Sequence, residues 1–174
     1  SEINKGTTFS FTLPYKIGDS DAFINKKLKE KSDTTLNLDS IQVLLVEDNP
    51  INQLLAKKVL SGWNCTTDTA ENGKIAIEKL NACNYDIILM DIQMPEMDGY
   101  ETTKHIRNKM NSTKNKVPII AMTAHASSGE ADKCLALGMD DYISKPFVPQ
   151  ELNNKIVALV KAKLDQPQLT TNKA

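Results

Sequence analysis

Three carboxylates, a hydroxyl and an ammonium draw attention because each closes or follows a short apolar run. Glu47 and Asp48 end "IQVLLVED", Asp91 ends "YDIILMD", Thr123 lies near the end of "VPIIAMTA", and Lys145 follows "DYIS". Adjacent carboxylates repel one another unless a cation joins them. A small set of hard oxygen ligands suits Mg2+, which keeps several waters and leaves room for phosphate oxygens. A carboxylate can also act as a nucleophile and form an acyl phosphate. Phosphoryl transfer needs an in-line nucleophile and positive charge on the equatorial oxygens. In that chemistry Asp91 is the nucleophile, Mg2+ and Lys145 supply the charge, and Thr123 hydrogen-bonds a phosphoryl oxygen. Each residue alone has a plainer reading: a strand-end aspartate is a cap, Thr123 a turn residue, Lys145 a solvated lysine. The set is more specific than its members, because their separations bring them together on only one kind of fold.

That fold must present several strand ends at one edge. The β-branched run 41–47 predicts a buried strand. Asn49 then caps a helix with Pro50 at its first position. Ile51, Leu54, Leu55 and Val59 follow at helical spacing, and Gly62 ends the helix. "CTTDTA" (65–70) is a weak second strand. A helix beginning near Asn72 puts Ala76, Leu80 and Cys83 on one face; Asn72-Gly73 is alternatively a hairpin turn, which the helix-forming "KIAIEKL" argues against. Residues 85–91 form the clearest buried strand. A helix over 99–110, the polar loop "NSTKNK", a strand over 117–124 and a helix over 127–137 ending at Gly138 follow. The strand 141–144 precedes a last helix from about Pro149, with Leu152, Ile156, Leu159 and Val160 inward. Alternating strands and helices predict an α/β, doubly wound parallel sheet with helices on both faces. In such sheets ligands bind beyond the carboxyl ends of the strands, where strand order reverses.

The 174 residues carry 40% hydrophobic and 25% charged residues with a net charge of −1. Near-neutrality gives no electrostatic reason to expect a nucleic-acid partner. No apolar run is long enough to span a bilayer, and residues 1–20 lack the apolar core of a signal peptide. Cys65, Cys83 and Cys134 are odd in number and form no CxxC pair. They read as small buried apolar residues in a reducing, cytoplasmic setting. There is neither GxGxxG nor GxxxxGK.

"VLLVEDNPINQ", "DIILMDIQMPEMDGYE", "PIIAMTAHA" and "GMDDYISKPF" resemble the receiver domain of two-component response regulators, most of all receivers fused to hybrid sensor histidine kinases. The resemblance implies a flavodoxin-like (βα)5 fold with strand order 2-1-3-4-5. It implies that Asp91 is the phosphoacceptor, Thr123 the switch hydroxyl, Tyr142 the switch aromatic and Lys145 the phosphate-binding lysine. For the Mg2+ cofactor it implies Asp48 and Asp91 as direct ligands, the Gln93 backbone carbonyl as another, and Glu47 acting through water. The Lys145-Pro146 bond is expected to be cis. The implied function is Mg-dependent phosphorelay signalling, with phosphate taken from a phosphohistidine of a histidine kinase or a histidine phosphotransfer domain. The fragment itself carries no ATP site; it would catalyse only its own phosphotransfer and slow dephosphorylation, without membrane contact, whether or not its parent is membrane-anchored. "GTTFSFTLP" (6–14) resembles the last strand of a histidine-kinase ATP-binding domain. The expected organisation is therefore a kinase remnant over 1–14, a linker over 15–40, the receiver over 41–163 and a disordered tail over 164–174.

Two other functions compete. An Asp-nucleophile phosphatase would need a second aspartate two positions after Asp91, where Gln93 stands. A docking module that is never phosphorylated typically lacks an acidic or lysine position, and none is missing here. Of the two histidines, His105 precedes Ile106 where a phosphodonor would precede an acidic residue, so it reads as a helix-surface group. His125 is expected at the rim of the site. Met94, Pro95 and Met97 are expected to shape the loop after Asp91, Gly99 to serve a turn or a helix start, and Trp63 to pack.

Overall fold

The apolar runs of the sequence form five parallel strands in the order 2-1-3-4-5. The structure is a computed structural model that describes residues 38–124 and 128–164 together with Ser10 and Thr12. The chain divides into two units, Ser1–Thr35 and Leu36–Ala174, and every element below belongs to the second. Apart from Ser10 and Thr12, the expected strand within 6–14 lies outside the described residues, as do nearly all of the linker, His125 and the tail beyond 164.

The strands are β1 (Gln42–Val46), β2 (Thr66–Ala70), β3 (Ile87–Asp91), β4 (Ile119–Thr123) and β5 (Asp141–Ser144). The helices are α1 (Pro50–Ser61), α2 (Gly73–Ala82), α3 (Gly99–Lys109), α4 (Ser128–Ala136) and α5 (Pro149–Leu164). All five residues of β3 and of β4 are buried, as central parallel strands covered on both faces must be. The edge strand β2 is half-exposed along most of its length, which is why its sequence signal is weak.

Alternation along the strands divides the core. Leu44, Val46, Ile88 and Met90 face a layer containing Ala76, Leu80, Ile106 and Cys134, from α2, α3 and α4. Val43, Leu45, Ile87 and Leu89 face the opposite layer, with Ala56 and Leu60 of α1 and Leu152, Ile156 and Val160 of α5. Trp63 packs against this second layer.

Local chemistry sets the helix ends. The Asn49 side chain accepts from the backbone N of Ile51 at 2.9 Å, with Pro50 in the first turn. Asn72 likewise caps α2, accepting from Ile75 N at 3.0 Å, so Asn72-Gly73 is a helix start and not a hairpin. Gly138 ends α4 with φ +95, a conformation that favours glycine.

The structure completes one expectation and corrects another. Ile51, Leu54 and Leu55 are exposed at 74%, 70% and 55%; the buried side of α1 is Ala56 and Leu60. Helical spacing puts residues on one face without saying which face meets the core. The three cysteines differ: Cys134 is buried, Cys65 is half-buried, and Cys83, at the C-cap of α2, is exposed.

Candidate functional site

Sheet register brings the acidic residues together. Val46 pairs with Met90, so Glu47 and Asp91 leave the sheet side by side. The sheet order reverses at this point, between β1 and β3, which is where open α/β sheets bind ligands. Thr123 ends β4 next door, and Lys145 follows β5, whose Ser144 pairs with Thr123. The Lys145-Pro146 bond is cis.

The side chains meet. Lys145 Nζ lies 2.6 Å from Glu47 Oε2 and 2.7 Å from Asp91 Oδ2. Glu47 is 2% exposed and Asp91 7%, while Asp48 is exposed. Glu47, Asp48 and Asp91 each present a carboxylate oxygen, all within 4.8 Å of one another. Among the described residues Lys145 is the one cation paired with Glu47 and Asp91, and Asp48 adds a third carboxylate, an imbalance that a hard divalent cation would correct. The donor set therefore fits Mg2+ in number, type and charge. Burial pushes the Asp91 carboxyl above the ordinary carboxylate range; the Lys145 ammonium pulls it back and Glu47 adds to the rise.

A cleft of about 190 Å3 opens above these groups, lined by Asp91, Gln93, Thr123, Lys145, Asn52 and Glu130. Thr123 is 4% exposed and lies in its wall. Gln93 is exposed, and its backbone N donates to Asp91 Oδ1 at 3.4 Å. Tyr142 is half-buried and packs on the α2–α4 core layer. Its register partner is Ala121, two residues before Thr123, so Tyr142 and Thr123 share that face of the sheet. His105 is half-buried on α3 and lines neither the cleft nor the acidic cluster.

The loop after Asp91 is fixed by close contacts. Gly73 N donates to Met97 O at 3.1 Å, and Asn72 Nδ2 donates to Glu96 Oε1 at 3.1 Å. Gly99 starts α3 against the backbone of Asp91: a Cβ there would lie 2.2 Å from Asp91 O. Glycine is required by this approach.

Asn52 and Glu130 were not anticipated. Asn52 Nδ2 donates to Glu47 Oε1 at 2.8 Å, and Glu130 accepts from Tyr100 Oη at 2.9 Å. A helical amide reaching back five residues to a strand end leaves no periodic signal in the sequence.

A family model described as the response regulator receiver domain matches residues 43–157. The "Hybrid signal transduction histidine kinase G" of Dictyostelium discoideum is 42% identical over 130 residues, which is 74% of this chain and 4% of that protein. The chain likewise spans 16% and 14% of the length of the first curated relatives it matches. Among solved structures, the receiver domain of a Pseudomonas aeruginosa sensor histidine kinase, with a magnesium ion coordinated in its active site cleft, is 37% identical. Its TM-score is 0.65, covering 70% of this chain and 98% of that one. A receiver domain from Saccharomyces cerevisiae, co-crystallised with a histidine phosphotransfer signaling protein, is 32% identical. Its TM-score is also 0.65, covering 72% of this chain and 92% of that one.

Proposed function

The chain belongs to the response regulator receiver family, and from that premise we propose that it is a phosphorelay switch in which Asp91 accepts a phosphoryl group from a phosphohistidine. The carrying observation is the ammonium of Lys145, held 2.7 Å from Asp91 and 2.6 Å from Glu47 at one rim of the sheet. A carboxylate oxygen of Asp91 attacks phosphorus. The bond between phosphorus and the imidazole nitrogen breaks, and its electron pair leaves with the imidazole. An acyl phosphate results, which water later hydrolyses to inorganic phosphate. Asp48, Asp91 and the Gln93 backbone carbonyl would hold Mg2+ directly and Glu47 through water; the ion would supply positive charge to the phosphoryl oxygens.

The residues around the acceptor have distinct work. Lys145 pairs with a phosphoryl oxygen, exchanging one anionic partner for another. Thr123 donates its hydroxyl to a second oxygen. Tyr142, on the same sheet face, moves inward as Thr123 is drawn toward the phosphate, changing the surface formed by α4, β5 and α5.

The partner is a histidine phosphotransfer domain or a kinase phosphohistidine domain. Ile51, Leu54 and Leu55 of α1 are exposed apolar groups at helical spacing, and Val148 beyond β5 is exposed too. Leu55 and Phe147 line a groove of about 320 Å3 that also reaches Glu47 and Lys145. A histidine-bearing helix laid on this surface brings its phosphoryl group over Asp91. Apolar surface of this kind, rimmed by polar groups, marks a docking site.

The parent is a hybrid histidine kinase, with residues 1–14 as a remnant of its ATP-binding domain, 15–40 as a linker, 41–163 as the receiver and 164–174 as a tail. No helix among the described residues is long and apolar enough to cross a membrane. The three free cysteines accord with a cytoplasmic setting.

The test is incubation with acetyl phosphate and Mg2+, followed by intact mass. One labile phosphate is expected on the wild type, none on Asp91→Asn, and none when the cation is chelated. Stable modification, or modification that survives Asp91→Asn, would overturn the proposal.

A further inference from the structure

Both carboxylate oxygens of Glu47 have protein partners. Oε2 accepts from Lys145 Nζ at 2.6 Å. Oε1 accepts from Asn52 Nδ2 at 2.8 Å, and from the backbone N of Asn49 only at 3.4 Å. The carbonyl of Glu47 accepts from Gln53 Nε2 at 2.7 Å. The first turn of α1 therefore reaches back and grips the residue that follows β1. Asn52 is itself placed by the helix cap, since its backbone N donates to Asn49 Oδ1.

The grip has an electrostatic consequence. Lys145 is the one cation bonded to Glu47 and Asp91 among the described residues. With the Asn52 amide on one oxygen, Glu47 leaves only its other oxygen to the lysine. Without that amide, the strongest donor left to Glu47 is Lys145. The carboxylate is then free to turn both oxygens toward the ammonium and draw it from Asp91. The same rotation disturbs the cluster in which a Glu47 oxygen lies within 4.8 Å of oxygens of Asp48 and Asp91.

We propose that Asn52 is a positioning residue of this site: its amide holds the Glu47 carboxylate in the orientation that lets one lysine serve two acids and leaves room for a divalent cation. The inference rests on the reading of the site as a Mg-dependent phosphoacceptor. Asn52 lines the cleft but has no hydrogen bond to Asp91 among the described residues; it acts through Glu47. Groups that orient a metal's ligands commonly matter to affinity by about 10- to 100-fold.

The experiment is a double-mutant cycle read by calorimetry of Mg2+ binding to the full chain. Asn52 is exposed and alanine is a good helix former, so Asn52→Ala is expected to keep its thermal midpoint. Its Mg2+ affinity is expected to fall about 10-fold. Asn52→Gln, which keeps the amide donor, is expected to recover most of that loss. In a Glu47→Ala background, Asn52→Ala is expected to change affinity by less than about 2-fold, because the group it acts through is gone. A readout without metal is the side-chain amide resonance of Asn52, which should move in Glu47→Ala. If the wild type binds Mg2+ and Asn52→Ala binds it equally well, or if the loss is the same in both backgrounds, the inference is overturned and the function stands. If the wild type binds no Mg2+, the metal reading falls and this inference with it.

Discussion

Removing the Lys145 side chain is the most informative perturbation of the site. Lys145→Ala deletes an ammonium that lies 2.6 Å from Glu47 and 2.7 Å from Asp91. At an effective dielectric near 20, each contact is worth about 6 kcal/mol of gross attraction. The two acids, with oxygens within 4.8 Å, repel by about 3 kcal/mol at the same dielectric. Desolvation offsets most of the attraction, and breaking a buried pair costs about 3–5 kcal/mol. Lys145 retains 19% side-chain exposure, so the low end applies: about 3 kcal/mol at pH 7 without divalent cation. With a urea slope of roughly 2 kcal/mol per molar, the midpoint falls by about 1.5 M.

The loss should depend on pH in one direction. Asp91 already sits above the ordinary carboxylate range with Lys145 present, and without the ammonium it rises further. A carboxyl raised on folding favours the folded state at pH below its unfolded value, near about 4. That benefit is lost as pH rises through the folded value. The deficit of Lys145→Ala should therefore be small near pH 4 and grow toward pH 7. Adding Asp91→Asn should restore about 1–2 kcal/mol at pH 7 by removing the repulsion. Urea titrations across this pH range decide it: a deficit independent of pH, or a double variant no more stable than Lys145→Ala, would refute the electrostatic account.

Other outcomes follow from packing and surface. Gly99→Ala drives a Cβ to 2.2 Å from the Asp91 carbonyl oxygen, so urea unfolding should show a loss of about 1–3 kcal/mol, with slower phosphorylation of Asp91. Gly129→Ala meets nothing within 4 Å in α4 and should stabilise by about 0.5–1 kcal/mol in the same assay. Replacing the exposed Leu54 and Leu55 by serine should leave stability within about 0.5 kcal/mol and leave labelling by acetyl phosphate unchanged. Transfer from a phosphorylated histidine phosphotransfer domain should slow at least 10-fold; equal transfer rates would remove α1 from the docking surface.

The parts of the fold that read plainly were those whose residues are buried on both sides. β3 and β4 are fully buried, so they appear as unbroken apolar runs with polar ends, and those ends are the site. Glu47, Asp91, Thr123 and Lys145 were legible because register, not side-chain detail, gathers them. α1 was legible as a helix but not in its orientation. Its largest apolar groups face solvent, and a small residue, Ala56, lets the helix lie close on the sheet beside Leu60. Cys83 reads as the end of an apolar face, yet it falls past the last turn of α2, where the backbone turns outward. Asn52 escaped notice because one side-chain hydrogen bond has no period.

The two core layers carry a last consequence. α1 packs on one side of the sheet with α5, while Tyr142 reports on the other, against the layer holding α4. The sheet thus stands between the α1 surface, where a donor would arrive, and the α4 surface, where part of the response would be felt, while α5 takes part in both. Selection can rewrite the residues of α1 that choose a donor without disturbing those of α4, so one scaffold can be rewired to new senders while that part of its reply stays the same.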